Sequence, residues 1–362
     1  MIYSALKSGL VAISLCTASI FVVLGLVEAA FWSFDDGTPT LKNDRPQAYY
    51  KPEASKFFQD YPIEPKNTDG SVFRIAVLGD SFTFAPNMQF DDAFPKRLER
   101  MLNLNVSPIR AEVFNYGVPG YSTMHEIRSA KFAAERDGAD LIIVEITLND
   151  PERKPFRPHG LWKGGTNPFK LGSGDTGTGL LSHSKLANFV ATRIHNHQTR
   201  QAYVDYYYKL FDDQKNWAEF TGALKSIADI GSTNGAKVVA VIFPLFGMPL
   251  DKNYPFTELH TKVQQVLRQL NILTLDLLSA YFGLPLDRMQ TIVGTDFHPN
   301  EIGHRIAAEE IYYWLAREQL IPGELRIREL FKSRVDIRPG SNDPLSSTPG
   351  STQVATNDNS PQ

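Results

Sequence analysis

Short apolar runs alternate with amphipathic stretches from about residue 75 to residue 320, and this alternation limits the fold more than any other feature of the chain. Ile75-Ala-Val-Leu78 is unbroken apolar sequence, as expected of a strand buried on both faces. It runs into Gly79-Asp80-Ser81. A helix is expected next, with Asp92 as its N-cap and Phe94, Leu98, Met101 and Leu102 at helical spacing. Further strands are expected over 112–117, 140–146, 236–243 and 272–276. Helices are expected over 125–137, 217–232, 260–270 and 300–320. The last carries the apolar stripe Ile302, Ile306, Ala307, Ile311, Trp314 and Leu315. Such alternation predicts an α/β fold, a three-layer doubly wound parallel sheet covered by helices on both faces.

The ends of the chain differ from this body. Ser8 to Val27 carries no charge and, as a helix, is about 30 Å long, enough for a bilayer core. Residues 1–31 are therefore expected to be a signal anchor. A cleaved secretory signal ending near Val27-Glu-Ala29 is the alternative. Both place the rest outside the cytoplasm, membrane-anchored in the first case and secreted in the second. Residues 32–70, rich in Pro, Asp, Lys and Asn, are expected to form a linker that packs on the domain edge. The globular domain is expected over 71–335. Residues 336–362, crowded with Ser, Pro, Asn, Thr and Gly, are expected to be disordered. One interval is too long for a βα loop. Residues 151 to about 215 read as an insertion over the strand ends, lining a substrate cleft or forming a surface subdomain.

A net charge of -3 gives no sign of a nucleic-acid partner. The single cysteine, Cys16, excludes an internal disulfide, and no zinc-type Cys/His spacing exists, so no metal and no cofactor are expected.

Polar residues gather where strands are expected to end, at Ser81, Gly120, Asn149 and Asp150. Open α/β sheets bind ligands at the carboxyl ends of their strands. A serine hydroxyl is a weak nucleophile unless a base lies in hydrogen-bond reach and a third group orients that base. Gly294-Thr-Asp296-Phe-His298-Pro supplies both. The proline biases His298 to extended backbone, where residues two apart point the same way. Asp296 can then accept the Nδ1–H of His298 and leave Nε2 for Ser81. The Ser81 and Gly120 N–H groups and the Asn149 amide are the expected oxyanion donors. Asp80 is expected to shape its turn, Asp150 to hold its loop, and His304 to be structural.

Four blocks, Gly-Asp-Ser-Phe, Asn-Tyr-Gly-Val-Pro-Gly, Leu-Asn-Asp and Asp-Phe-His-Pro-Asn-x-x-Gly-His, stand in an order that resembles the SGNH (GDSL-type) hydrolases from about Arg74 to Leu320. The resemblance implies a flavodoxin-like fold and metal-free ester hydrolysis or acyl transfer. It implies Ser81 as nucleophile, Gly120 and Asn149 as oxyanion donors, and Asp296 and His298 as the remaining triad. Two positions depart from the pattern: Thr147 stands where glycine is usual, and Asp296 precedes His298 by two residues rather than three.

The expectation is a serine esterase acting on an acyl ester, such as an acylated glycan or lipid. Two alternatives are an O-acyltransferase for a surface or exported glycan and a tethered glycan- or lipid-binding module without turnover.

Overall fold

The computed structural model describes residues 2–34, 60, 63–66, 69–104, 106–153, 185–292 and 296–326. The expected tail, residues 35–59 of the linker and 154–184 of the insertion lie outside these. Helix α1 (Ile2–Phe34) holds the apolar segment. Within it, Val11–Ala30 has a mean hydropathy of 2.2 with none of its window buried, so among the described residues one helix is long and apolar enough to be a signal anchor or a signal peptide.

Five strands, β1 (Val72–Gly79), β2 (Arg110–Gly117), β3 (Leu141–Ile146), β4 (Lys237–Ile242) and β5 (Leu273–Asp276), form one sheet. All its pairings are parallel, and its order is β2-β1-β3-β4-β5. That order is the flavodoxin-like one, which reverses direction between β1 and β3 and opens a crevice there. Ile75, Ala76, Val77 and Leu78 of β1 and Leu141, Ile142, Ile143 and Val144 of β3 are completely buried. Such runs satisfy both helical layers at once, which is why they do not alternate.

Helix α2 (Ser81–Phe84) is a single turn after β1. Helices α3 (Phe94–Leu102) and α9 (Glu301–Arg317) pack together, as do α4 (Thr123–Lys131) and α6 (Gln214–Thr233). Between them in the chain come α5 (Lys185–Asp212), α7 (Thr257–Gln269) and the one-turn α8 (Leu278–Tyr281). Helix α4 ends in a π-helical turn over Phe132–Arg136, so the expected 125–137 helix is not α-helical throughout.

Asp92 does not cap α3. It closes a 3-10 turn (Phe90–Asp92), and Ala93 takes the cap position. Asp92 is drawn instead to Arg97, whose Nη2 donates to its Oδ1 at 2.8 Å. Pro95 in the first turn of α3 lacks the N–H that a side-chain cap would have served.

Two residues of the segment expected to be a linker, Asp60 and Lys66, lie against the domain. Asp60 Oδ2 accepts the backbone N–H of Asn115 on edge strand β2 at 2.7 Å, and Lys96 lies 3.4 Å from the same oxygen. Lys66 donates to Asp140 at 2.6 Å beside the start of β3. The alternation also hid one element. A small antiparallel hairpin, β6 (Gln290–Ile292) with β7 (Asp296–Pro299), stands apart from the main sheet.

Candidate active site

The β1 and β3 ends bring the site together at the point where strand order reverses. Asp80 caps α2, its Oδ1 accepting the Phe82 N–H at 2.8 Å. The turn therefore starts at Ser81 and leaves the serine half-exposed. Close approach of α2 to β2 depends on Gly117, where a Cβ would lie 2.3 Å from the Phe84 nitrogen. Asn115, buried on β2, donates to the Thr83 carbonyl at 2.9 Å and fixes the same turn.

From the far end of the domain, β7 delivers Asp296 and His298. Extended backbone puts both side chains on one side, as residue spacing requires. His298 Nε2 lies 2.8 Å from Ser81 Oγ, and His298 Nδ1 lies 2.5 Å from Asp296 Oδ1. Asp296 Oδ1 also accepts the His298 backbone N–H at 3.1 Å. The outer oxygen of Asp296 is held by Asn87, which donates from Nδ2 at 3.0 Å. Partial burial pushes the Asp296 carboxyl up, but the His298 ring and backbone N–H and the Asn87 amide outweigh that and hold it below the usual carboxylate range. Asp296 is thus an anion at neutral pH, able to accept the Nδ1–H. With that proton on Nδ1, Nε2 is left as an acceptor for the Ser81 hydroxyl proton.

Gly120 follows Pro119 in a turn closed by the Tyr121 N–H on the Val118 carbonyl at 3.0 Å. Its φ of 79° is the left-handed value that the third residue of a type II turn needs, so a glycine belongs there. The α4 start beyond it is a capping box. His125 and the Ser122 hydroxyl meet at 3.0 Å, and the His125 ring stacks on Tyr121.

Asn149 follows β3. Its Nδ2 donates to Asp80 Oδ2 at 2.7 Å, and its Oδ1 accepts from Thr147 Oγ1. Asp150 Oδ2 accepts the Thr147 N–H at 2.7 Å, so Asp150 holds the loop. Asp80 also shapes its turn, but in addition it binds the Asn149 amide, which its place in the sequence does not announce. His304 is buried with Nδ1 accepting the Phe94 N–H at 3.1 Å. Burial, with the Arg97 charge nearby, lowers it to about 3, so it is a neutral, structural histidine.

Beneath the site lie four buried carboxyls, Asp80, Glu126, Glu145 and Asp150. Among the described residues none of the four forms an ion pair. Glu126 is 0% exposed, and neither of its oxygens has a hydrogen-bond partner. Burial pushes Glu126 well above the ordinary carboxyl range, and the neighbouring Asp150 and Asp80 add to it. Burial does the same to Glu145 and to Asp150, reinforced in both by Asp80. Asp80 is also raised by burial, though the Asn149 amide and the Phe82 N–H oppose this. A buried carboxyl without a partner keeps its proton rather than carry an unpaired charge. Sequence reading found neither glutamate, because a lone acidic residue inside a helix or strand reads as a solvated face. Asn87, on a loop with no pattern, gave no signal either.

Residues 77–306 match the GDSL-like Lipase/Acylhydrolase family. Among solved structures, the psychrotrophic esterase EstA from Pseudoalteromonas sp. is similar at 14% identity. That match covers 68% of this chain and 99% of that one, with a TM-score of 0.41. A two-domain esterase (CEX) active on acetylated mannans is similar at 14% identity, over 71% of this chain and 54% of that one, TM-score 0.42. An acetyl-xylooligosaccharide esterase from Geobacillus Stearmophilus, in variant form, is similar at 15% identity, over 74% and 100%, TM-score 0.39. No curated protein is matched. With more than half its length matched, from inside β1 into α9, this chain belongs to the GDSL-like lipase/acylhydrolase family and is an enzyme that hydrolyses esters.

Proposed function

We propose that this protein is a serine esterase, tethered to a membrane by α1 with its catalytic domain outside the cytoplasm, that cleaves an acyl ester through Ser81, His298 and Asp296. The observation that carries the reading is the 2.8 Å approach of His298 Nε2 to Ser81 Oγ, from segments 217 residues apart in sequence. In the first half-reaction Nε2 takes the Ser81 proton while Oγ bonds to the acyl carbon. Asp296 holds the Nδ1–H and stabilises the imidazolium that forms. The carbonyl oxygen becomes an oxyanion, met by the N–H groups of Ser81 and Gly120 and by the Asn149 amide. His298 then passes its proton to the leaving alcohol, and the C–O bond breaks. Water repeats the sequence on the acyl-enzyme, releasing the acid and restoring Ser81.

The acyl ester suggested by an extracytoplasmic site is one carried on a glycan or a lipid. Full-length protein in detergent, incubated with nitrophenyl esters of graded acyl length and with acetylated oligosaccharides, tests the reading. Nitrophenol or free acid should be released in amounts exceeding the enzyme many times over. Release limited to one equivalent, or none, contradicts it. Appearance of the acyl group on an added oligosaccharide in place of free acid would make the protein a transferase.

A further inference from the structure

Thr147 occupies the position where the family resembled by this sequence usually has glycine, and its side chain is not idle. It is 0% exposed, directly after β3. Its hydroxyl has one proton to give and two acceptors in reach, of which Asn149 Oδ1 is the closer and Asp80 Oδ2 the farther. The same hydroxyl lies 3.3 Å from Asp80 Oδ2. Across the amide, Asn149 Nδ2 donates to Asp80 Oδ2 at 2.7 Å. Asp80 is itself held by the Phe82 N–H, and the Thr147 backbone by Asp150. The Asn149 amide is therefore gripped at both ends.

This matters because the last torsion of an asparagine is broad and roughly two-fold. The Asp80 contact alone fixes which end is nitrogen: exchanging the two ends would set the amide oxygen against a carboxylate oxygen. It still lets the amide pivot about that one contact. A second bond at the carbonyl end removes the pivot. A primary amide has two N–H groups, and Asp80 takes one. The direction of the other is set by the plane that Thr147 and Asp80 define together.

We propose that Thr147 is a positioning residue: by holding the carbonyl of Asn149, its hydroxyl keeps the second amide N–H aimed at the oxygen of the tetrahedral intermediate. This rests on the oxyanion role proposed above for Asn149. Glycine at this position could not perform it, so the contact belongs to this chain's departure from the family pattern.

The test uses the full-length protein in detergent, four single variants and one double variant. Thr147→Val removes the hydroxyl and keeps the shape. Thr147→Gly removes it without setting a methyl group against Asp80, and guards against misfolding of the first. Thr147→Ser keeps the hydroxyl. Asn149→Ala removes the amide. Losing an oxyanion donor costs about 10²–10³ in kcat, and a misaimed donor should cost less, about 10-fold to 100-fold. Thr147→Val and Thr147→Gly should lose that much kcat, with KM changed less than about twofold, because the interaction exists only in the transition state. Thr147→Ser should stay within about threefold of wild type. In an Asn149→Ala background Thr147→Val should cost less than about twofold, since its target is gone. Wild-type kcat in both hydroxyl-free variants, or an undiminished loss in the Asn149→Ala background, overturns the proposal.

A second readout does not need the ester reaction. Selective 15N-asparagine labelling gives the Asn149 side-chain amide, identified by its disappearance in Asn149→Ala. Its pair of hydrogen signals should be nearly the same in the wild type and Thr147→Ser and should move in Thr147→Val, where the carbonyl end loses its donor while Asp80 still holds one N–H. An unchanged pair in Thr147→Val overturns the proposal. If no ester is turned over by the wild type, the esterase reading fails, and this amide pair still decides whether Thr147 holds Asn149.

Discussion

Asp296 Oδ1 lies 2.5 Å from His298 Nδ1 although only one residue separates them, and it accepts the His298 backbone N–H as well. The short spacing works because β7 is extended there, so the two side chains leave the strand on one side. If Asp296 holds the tautomer, Asp296→Asn should assemble the same site yet lower kcat steeply. The equivalent change in a serine protease costs about 10⁴. His298→Ala should cost at least as much, and the double variant little more than either, because triad members act as a unit. Loss of less than about tenfold would leave a Ser81–His298 dyad.

Asn87 makes a smaller prediction. It sits at a φ of 60° and donates to the outer oxygen of Asp296 at 3.0 Å. Asn87→Gly tolerates that backbone and deletes only the amide. One partly exposed hydrogen bond is worth about 1 kcal/mol, so kcat should fall about fivefold. Unchanged kcat at all pH values would show that Asp296 is oriented without it.

The buried carboxyls predict how stability varies with pH. An unfolded glutamate releases its proton near pH 4.3, whereas Glu126, Glu145 and Asp150 keep theirs well above their ordinary values when folded. Above the unfolded value the native state binds more protons than the unfolded one, so stability falls as pH rises, by up to about 1.4 kcal/mol per pH unit for each group. Stability from this source is greatest near pH 4 and is progressively lost toward neutral pH and beyond. Glu126→Gln should flatten that decline and raise Tm at pH 8 more than at pH 5. Equal Tm changes at both pH values would mean that Glu126 does not hold its proton on folding.

Helix α1 predicts fractionation. The intact chain should sediment with membranes, resist extraction by high salt, and enter solution with detergent, because Val11–Ala30 matches the thickness of a bilayer core. Intact mass of the purified protein distinguishes a retained anchor from a cleaved signal. Recovery of the full-length chain from cytosol without detergent would contradict both.

The sheet was legible because buried parallel strands announce themselves as apolar runs such as Ile75–Leu78 and Leu141–Val144. The positions of Ser81, Gly120, Asn149 and His298 were legible because each belongs to a local pattern at a strand end or beside a proline. What stayed hidden depends on contacts distant in sequence. Asn87 meets Asp296 across 209 residues, and Asp80 meets Asn149 across 69, so neither contact leaves a spacing to read. Asp92 was misread because capping propensity is local, whereas the Arg97 guanidinium offers it a stronger partner. The role of Thr147 was hidden for a further reason: its hydroxyl gains meaning only from the amide that it faces.

The central claim is that Ser81 forms the acyl bond. Full-length protein should be treated with a fluorescent alkylphosphonate, digested, and mapped by mass spectrometry, with Ser81→Ala alongside. Phosphonates mimic the tetrahedral intermediate and bond to an activated serine oxygen, so the label should sit on Ser81 alone, and prior ester substrate should slow it. Ser81→Ala should take no label and lose ester turnover by at least about 10⁴, while keeping the wild-type Tm within about 2 °C. Labelling at another residue, or ester turnover undiminished in Ser81→Ala, would contradict the account.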